Sequence, residues 1–262
     1  MIYLFVHGTA SSGRIWRRVL ECLRTGRFRE GDHFLCPDLP GMGSSPAACQ
    51  VTFGDWLQFL KETVLTALGV PKAATPGADW SSATHPPMVH LIGHSLGGAV
   101  VTHLAQEPWA ASVALISPAT VRFWREVRKA SPPGAREGTI LLTRVPGRLV
   151  ADPALLARED AALLREDYGR AQATLRSGLP WPESRETEAG LLKGKRVLML
   201  WGEADEVIPT RYFEEAKAGI EREAVSVKAV SLPGCGHIPM LERPAEVAAA
   251  LVEFWKGTEG LE

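Results

Sequence analysis

The stretch Gly93-His94-Ser95-Leu96-Gly97-Gly98 lies between a short apolar run, Val89–Ile92, and a segment rich in small residues, Leu96–Ala105. The run reads as a strand and the small-residue segment as a helix. A G-x-S-x-G pentapeptide in that setting demands a sharp strand-to-helix turn with the serine at its apex. The turn forces the serine backbone into strained dihedrals and presents its hydroxyl. Glycines are needed on either side, because a Cβ there would strike the neighbouring strand or helix. The new helix also directs free N–H groups at any anion near Ser95. A Gly-rich turn of purely structural use is the rival reading. The flanking strand and helix favour a nucleophile at Ser95.

The rest of the chain supplies the scaffold such a turn needs. Apolar runs at Ile2–Val6, His33–Cys36, Ser112–Ile116, Arg196–Trp201 and Val225–Val230 read as further strands. Between them, Arg14–Leu23, Phe53–Leu68, Thr210–Ile220 and Ala245–Trp255 have helical periodicity. Alternating strands and helices predict an α/β fold: a mostly parallel sheet of about six strands, covered on both faces. Two stretches break the alternation. Residues 71–87 are rich in Ala, Ser, Thr, Gly and Pro and read as a long loop. Residues 118–192 hold no convincing strand, only amphipathic helical segments (Val121–Lys129, Pro153–Leu164, Arg165–Ser177) and Pro-rich joints. They are expected to form a helical cap inserted into a core made of residues 1–117 and 193–262. The length of 262 residues suits one such domain.

A serine hydroxyl needs a base, and the base needs an acid to orient it. Of the seven histidines, His237 sits in Pro233-Gly234-Cys235-Gly236-His237-Ile238-Pro239, just past a strand. Glycines there let the backbone carry the imidazole over the sheet edge. His94 adjoins Ser95, but neighbours in such a turn point apart, so it reads as packed or at the surface. His7 reads as a structural hydrogen-bonder, and His33, His85, His90 and His103 as surface, loop or core residues. Asp205, in Trp201-Gly202-Glu203-Ala204-Asp205-Glu206, is the candidate acid, with Glu203 and Glu206 as rivals. Each of Ser95, Asp205 and His237 follows a different expected strand, at the edge where open α/β sheets hold their sites.

Further motifs run in order along the chain: His7-Gly8 after the first strand, Asp38-Leu39-Pro40-Gly41-Met42-Gly43-Ser44-Ser45, Gly202-x-x-Asp205-x-x-Ile208-Pro209 and Gly236-His237-x-Pro239-x-x-Glu242-x-Pro244. With Gly93–Gly98 they make the chain resemble the α/β-hydrolase superfamily, in its cap-bearing esterase and C–C hydrolase branch. That resemblance implies that the backbone N–H groups of Thr9 and Leu96 form an oxyanion hole and that Asp38–Ser45 is a structural loop. It also implies that residues 118–192 lie over a pocket. Family members usually begin with a β-hairpin ahead of the His-Gly strand. Here Met1 abuts that strand, so either the sheet is expected to lack it or the start is internal to the native gene. A Ser in place of an Asp nucleophile argues against haloalkane dehalogenase and epoxide hydrolase chemistry.

Together these features point to a serine hydrolase that cleaves a carboxylic ester or related acyl bond through an acyl-enzyme, with no metal or organic cofactor. The same triad would serve a C–C bond hydrolase, a thioesterase or lactonase, or a lyase. A small-ligand-binding protein on a hydrolase scaffold is the non-enzymatic rival. Aromatic residues of the cap segment, Phe123, Trp124, Tyr168 and Trp181, suggest a substrate with an apolar or aromatic group, although cap core is the more ordinary use for them. Arg122, Arg125, Arg144 and Arg148 read as solvated rather than as ligands of a substrate carboxylate. A formal net charge of −1 points to neither nucleic acid nor an anionic membrane as partner. Cys22, Cys36, Cys49 and Cys235 lack metal-knuckle spacing and read as reduced thiols. With no secretory leader or spanning segment recognisable, a cytoplasmic protein is expected. The oligomeric state is open.

Overall fold

A computed structural model describes residues 1–24, 28, 31–46, 51–69, 89–130, 149–178 and 187–259. The elements in chain order are β1 (Ile2–Val6), α1 (Arg17–Arg24), β2 (His33–Leu35), α2 (Phe53–Ala67), β3 (Val89–His94), α3 (Leu96–Leu104), β4 (Ala110–Ile116), α4 (Val121–Ala130), α5 (Arg158–Ser177), α6 (Glu188–Leu191), β5 (Arg196–Gly202), α7 (Thr210–Ile220), β6 (Ser226–Leu232), α8 (Pro239–Glu242) and α9 (Pro244–Glu259). The six strands form one sheet in the order β2-β1-β3-β4-β5-β6, and every neighbouring pair is parallel.

The central strands β1, β3, β4 and β5 are buried on both faces, so they are largely apolar at consecutive positions and alternate residues feed opposite cores, while the edge strands β2 and β6 are partly exposed. Ile2, Leu4 and Val6 join Trp56, Leu60 and Val64 of α2 and Tyr212 and Phe213 of α7 on one face. Tyr3 and Phe5 join Val19 and Leu23 of α1 and Leu251, Phe254 and Trp255 of α9 on the other. The chain first steps outward from β1 to β2 and then returns to place β3 on the opposite side of β1. That reversal opens a crevice at the carboxyl ends of β1 and β3, where ligands of open α/β sheets bind.

Asp38 ties the loop after β2 together. Its Oδ1 accepts from the Gly13 N–H (2.7 Å), and its Oδ2 accepts from the Ser44 N–H (2.7 Å) and hydroxyl (2.6 Å). Burial pushes this carboxyl up, yet the bonds from Ser44 and Gly13 outweigh it and hold the group below its ordinary value.

Between β4 and β5 the chain contributes α4, α5 and α6. The two helical segments expected over Pro153–Leu164 and Arg165–Ser177 are one helix, Arg158–Ser177, preceded by a single 3-10 turn at Pro153–Leu155. No proline interrupts it, and Gly169 alone is too weak a breaker to end it. Three buried side chains of α5 fasten it to the core. Buried Asp160 takes Arg17 on Oδ1 and Arg18 on Oδ2, both at 2.5 Å. Buried Asp167 takes the Ser12 hydroxyl at 2.6 Å and Arg14 at 3.1 Å. Thr174 donates its hydroxyl to the Gly41 carbonyl at 2.6 Å. The helix ends at Gly178, whose φ of +95° suits a residue without a side chain. The 71–87 loop lies outside the described residues.

Candidate active site

Ser95 caps α3 with φ 52° and ψ −119°, a conformation that few non-glycine residues adopt. Hydrogen bonds hold it there. Its N–H donates to the Ile116 carbonyl at 3.0 Å, and its own carbonyl accepts from Gly98 and Ala119, both at 2.9 Å. Close approach explains the flanking glycines. A Cβ on Gly93 would stand 2.4 Å from the Gly97 carbonyl oxygen, and one on Gly97 would stand 2.4 Å from that of Val6. The elbow is therefore wedged between β1, β4 and its own helix.

His237 reaches Ser95 from the loop after β6. Its Nε2 lies 3.1 Å from Ser95 Oγ and its Nδ1 lies 2.8 Å from Asp205 Oδ2. Because the carboxylate accepts, the Nδ1 carries the proton, and the Nε2 lone pair is left to receive the serine hydroxyl. The other Asp205 oxygen accepts from the backbone N–H groups of Val207 (2.9 Å) and Ile208 (2.8 Å), which orients the carboxylate. Trp201 Nε1 donates to the Ile208 carbonyl and closes the same turn. Glu242 organises the histidine loop: its Oε2 accepts from the N–H groups of Gly236 and Ala151, each at 2.9 Å. The His237 N–H donates to the Leu149 carbonyl at 3.0 Å, so the insertion between β4 and β5 also holds the base.

Of the rival acids, Glu203 is exposed and accepts from Ser231 Oγ, and Glu206 is also exposed. His7 accepts from the Leu39 N–H on Nε2 and donates from Nδ1 to the Gly8 carbonyl, which pins the loop after β1. His90 pairs with Ser112 Oγ inside the core at 2.7 Å. His33 is exposed, His103 donates to the Ala99 carbonyl within α3, and His85 lies outside the described residues. His94 is packed, one of the two places its sequence reading allowed, but it also makes a specific bond to the candidate base. It is buried, its ring centroid is 4.9 Å from that of His237, and its Nε2 donates to the His237 carbonyl at 2.8 Å. Burial and the neighbouring His237 push its pKa well below the ordinary histidine value, so it is neutral.

Ser95 and His237 open onto a cavity of about 90 Å³. Thr9, Ala10 and Ser11 line it from the loop after β1, Phe123, Trp124, Leu149, Leu164 and Tyr168 from the insertion, and Val207 and Ile208 from the acid turn. Among the described residues, none that lines it is Lys, Arg, Asp or Glu. Phe123 and Trp124 are buried and Tyr168 is half-buried, while Trp181 lies outside the described residues. Leu96 opens α3, where the first N–H groups have no acceptor within the helix. Arg122 is spent on Glu126 and Glu215 at the surface, and Arg144 and Arg148 lie outside the described residues. Sequence reasoning missed Ser11, Leu149 and Leu164, because nothing in their local pattern separates pocket lining from core. Among the described residues, no group of three or more His, Cys, Asp or Glu side chains could hold a metal ion, and no helix is long and apolar enough to cross a membrane.

Residues 3–250 match the family model described as "Alpha/beta hydrolase family". The chain belongs to that family. It is 28% identical over 267 aligned positions to the dihydrolipoyllysine-residue acetyltransferase component of the acetoin cleaving system of Cupriavidus necator, covering 97% of this chain and 63% of that one. The chain thus spans less than two thirds of that relative's length. It is 32% identical over 102 positions to the pimeloyl-[acyl-carrier protein] methyl ester esterase of Aeromonas hydrophila, covering 39% of this chain and 31% of the relative. Among solved structures, the thermophilic esterase of Thermogutta terrifontis superposes with a TM-score of 0.67 at 21% identity, over 98% of this chain and 90% of that one. At that identity the likeness is one of fold.

Proposed function

We propose that this alpha/beta hydrolase cleaves a carboxylic ester or a related acyl bond through an acyl-enzyme on Ser95. The hydrogen-bonded line from Ser95 Oγ through His237 to Asp205, at 3.1 and 2.8 Å, carries the reading. Ser95 Oγ attacks the carbonyl carbon while its proton passes to His237 Nε2. Asp205 keeps the imidazole in the productive tautomer and stabilises its charged form. The N–H groups of Thr9 and Leu96 stabilise the oxyanion, each donor contributing about 3–4 kcal/mol to lowering the barrier. The imidazolium then protonates the leaving alcohol. Water, deprotonated by the same imidazole, releases the acid and restores the serine.

Residues 118–192 serve as the lid in this reading. Phe123, Trp124 and Tyr168 on the cavity wall support that role, and a lid there excludes water and selects substrates by shape. The lining is uncharged among the described residues, which favours a neutral, compact substrate over one carrying a carboxylate near the scissile bond. The test is labelling with a fluorophosphonate probe beside hydrolysis of p-nitrophenyl esters of graded length. Labelling at Ser95 with turnover of short esters is expected. Absence of both would leave the scaffold without the proposed activity.

A further inference from the structure

Two adjacent serines in the loop after β1 have opposite fates. Ser12 gives its hydroxyl to Asp167 at 2.6 Å and fastens α5. Ser11 is 7% exposed, lines the same cavity as Ser95, and its Oγ has no hydrogen-bond partner among the described residues. Between Ser11 and the oxyanion candidate Thr9, the chain turns through Ala10 at φ +54°, a conformation that persists only where the surroundings hold it. A buried hydroxyl left unpaired costs about 1–3 kcal/mol, so an apolar residue would serve better here if packing were its only task.

We infer that Ser11 Oγ is the polar anchor of the substrate site and recognises a neutral oxygen substituent, a hydroxyl or keto oxygen, within a few bonds of the scissile carbonyl. This rests on the serine-hydrolase reading given above and narrows it. Placement sets the distance along the substrate: Ser11 is two residues beyond Thr9, whose N–H meets the carbonyl oxygen in that reading. Charge sets the chemistry, since among the described residues no cationic or anionic side chain lines the cavity, and a hydroxyl both donates and accepts. The remaining wall, with Ile15, Phe123 and Trp124, takes the hydrocarbon part of the same substrate. Sites built to hydrogen-bond a substrate oxygen discriminate strongly against analogues that lack it, because the protein group is then left unpaired.

Three esters of matched size test the inference: an unsubstituted short acyl ester, one with a hydroxyl on the acyl chain, and one with a hydroxyl on the alkoxy group. Wild type should favour one of the hydroxylated esters, and which of the two assigns the side that Ser11 grips. Ser11→Ala should collapse that preference about five- to tenfold, chiefly through KM, the scale of one neutral hydrogen bond. An unchanged preference would overturn the inference. A second arm does not need catalysis. Binding of a short hydroxy ketone and its plain ketone counterpart is followed by tryptophan fluorescence, Trp124 being on the cavity wall. Wild type should hold the hydroxy ketone more tightly, and Ser11→Ala should hold the two alike. If no ester is turned over but the ketone difference holds, the hydrolase reading fails while the subsite stands. If esters are cleaved and neither preference moves, the subsite alone fails. Thermal melts separate a structural role: Ser11→Ala should melt at or above wild type, whereas Ser12→Ala should melt lower. A loss in Ser11→Ala equal to that of Ser12→Ala would make Ser11 a structural residue and end the proposal.

Discussion

His94 donates its Nε2–H to the main-chain carbonyl of His237, 2.8 Å away, so the residue beside the candidate nucleophile holds the backbone of the candidate base. The bond ties the turn after β3 to the loop after β6. His94 is thus a positioning residue in the proposed mechanism. His94→Phe keeps a ring in the space and removes the donor. It should lower kcat by about ten- to a hundredfold, the scale of a small misplacement of a catalytic group, with KM changed far less. Single-turnover and steady-state kinetics on one ester would show the split. Equal losses in both constants would point to damage of the pocket instead.

His94 and His7 are both buried and both held neutral by burial, His94 most strongly. In the unfolded chain they take up protons near the ordinary histidine value of about 6.5. The unfolded state therefore binds more protons than the native one below that pH, and stability falls as pH falls. The contribution is fully present above about pH 6.5 and is lost on acidification toward the depressed native values. Melts from pH 8 to 5 should show the decline, and His94→Phe should flatten it. A variant with the wild-type slope would show that His94 does not carry the effect.

Ser95→Ala and His237→Ala should each cut ester turnover by several orders of magnitude with the fold intact, since members of a triad act as a unit. Asp205→Asn should cost on the order of 10⁴ in kcat by favouring the wrong imidazole tautomer. Glu203→Gln, altering an exposed acid, should remain within about threefold of wild type. Purified variants compared by circular dichroism and by p-nitrophenyl ester kinetics decide this. Severe loss in Glu203→Gln with mild loss in Asp205→Asn would reassign the acid.

Trp124→Ala and Tyr168→Ala enlarge the cavity from the insertion side. Both should shift the optimum toward longer acyl chains while leaving fluorophosphonate labelling of Ser95 within about tenfold of wild type, because neither touches the reacting atoms. Chain-length profiles from acetyl to decanoyl esters provide the measurement. Profiles that match the parent in both variants would reduce the insertion to a surface feature.

The sheet was readable because both of its faces are covered. Burial on two sides makes a strand such as Val197–Trp201 apolar at every position, a pattern that needs no partner to be recognised. The elbow was readable because Gly93 and Gly97 answer to backbone atoms a few residues away or in the adjoining strand. The role of His94 was hidden because its partner is a main-chain carbonyl 143 positions on, and a carbonyl leaves no mark in a sequence. The continuity of α5 was hidden for a related reason. What sustains that helix past Leu164 includes Asp167 meeting Ser12 and Arg14, contacts between segments more than 150 positions apart.

Asp160, Asp167 and Thr174 fall at intervals of seven residues, two helical turns, so one narrow face of α5 carries all three of these polar fastenings. A single inserted or deleted residue within that span would rotate the downstream part of the helix by about 100° and carry its fastenings off their partners. Substitutions on the cavity-facing side at Leu164 and Tyr168 leave the fastenings untouched. This helix is therefore built to diversify by point replacement and to resist changes in length. Related chains with new substrate preferences should differ here in side chains rather than in residue count.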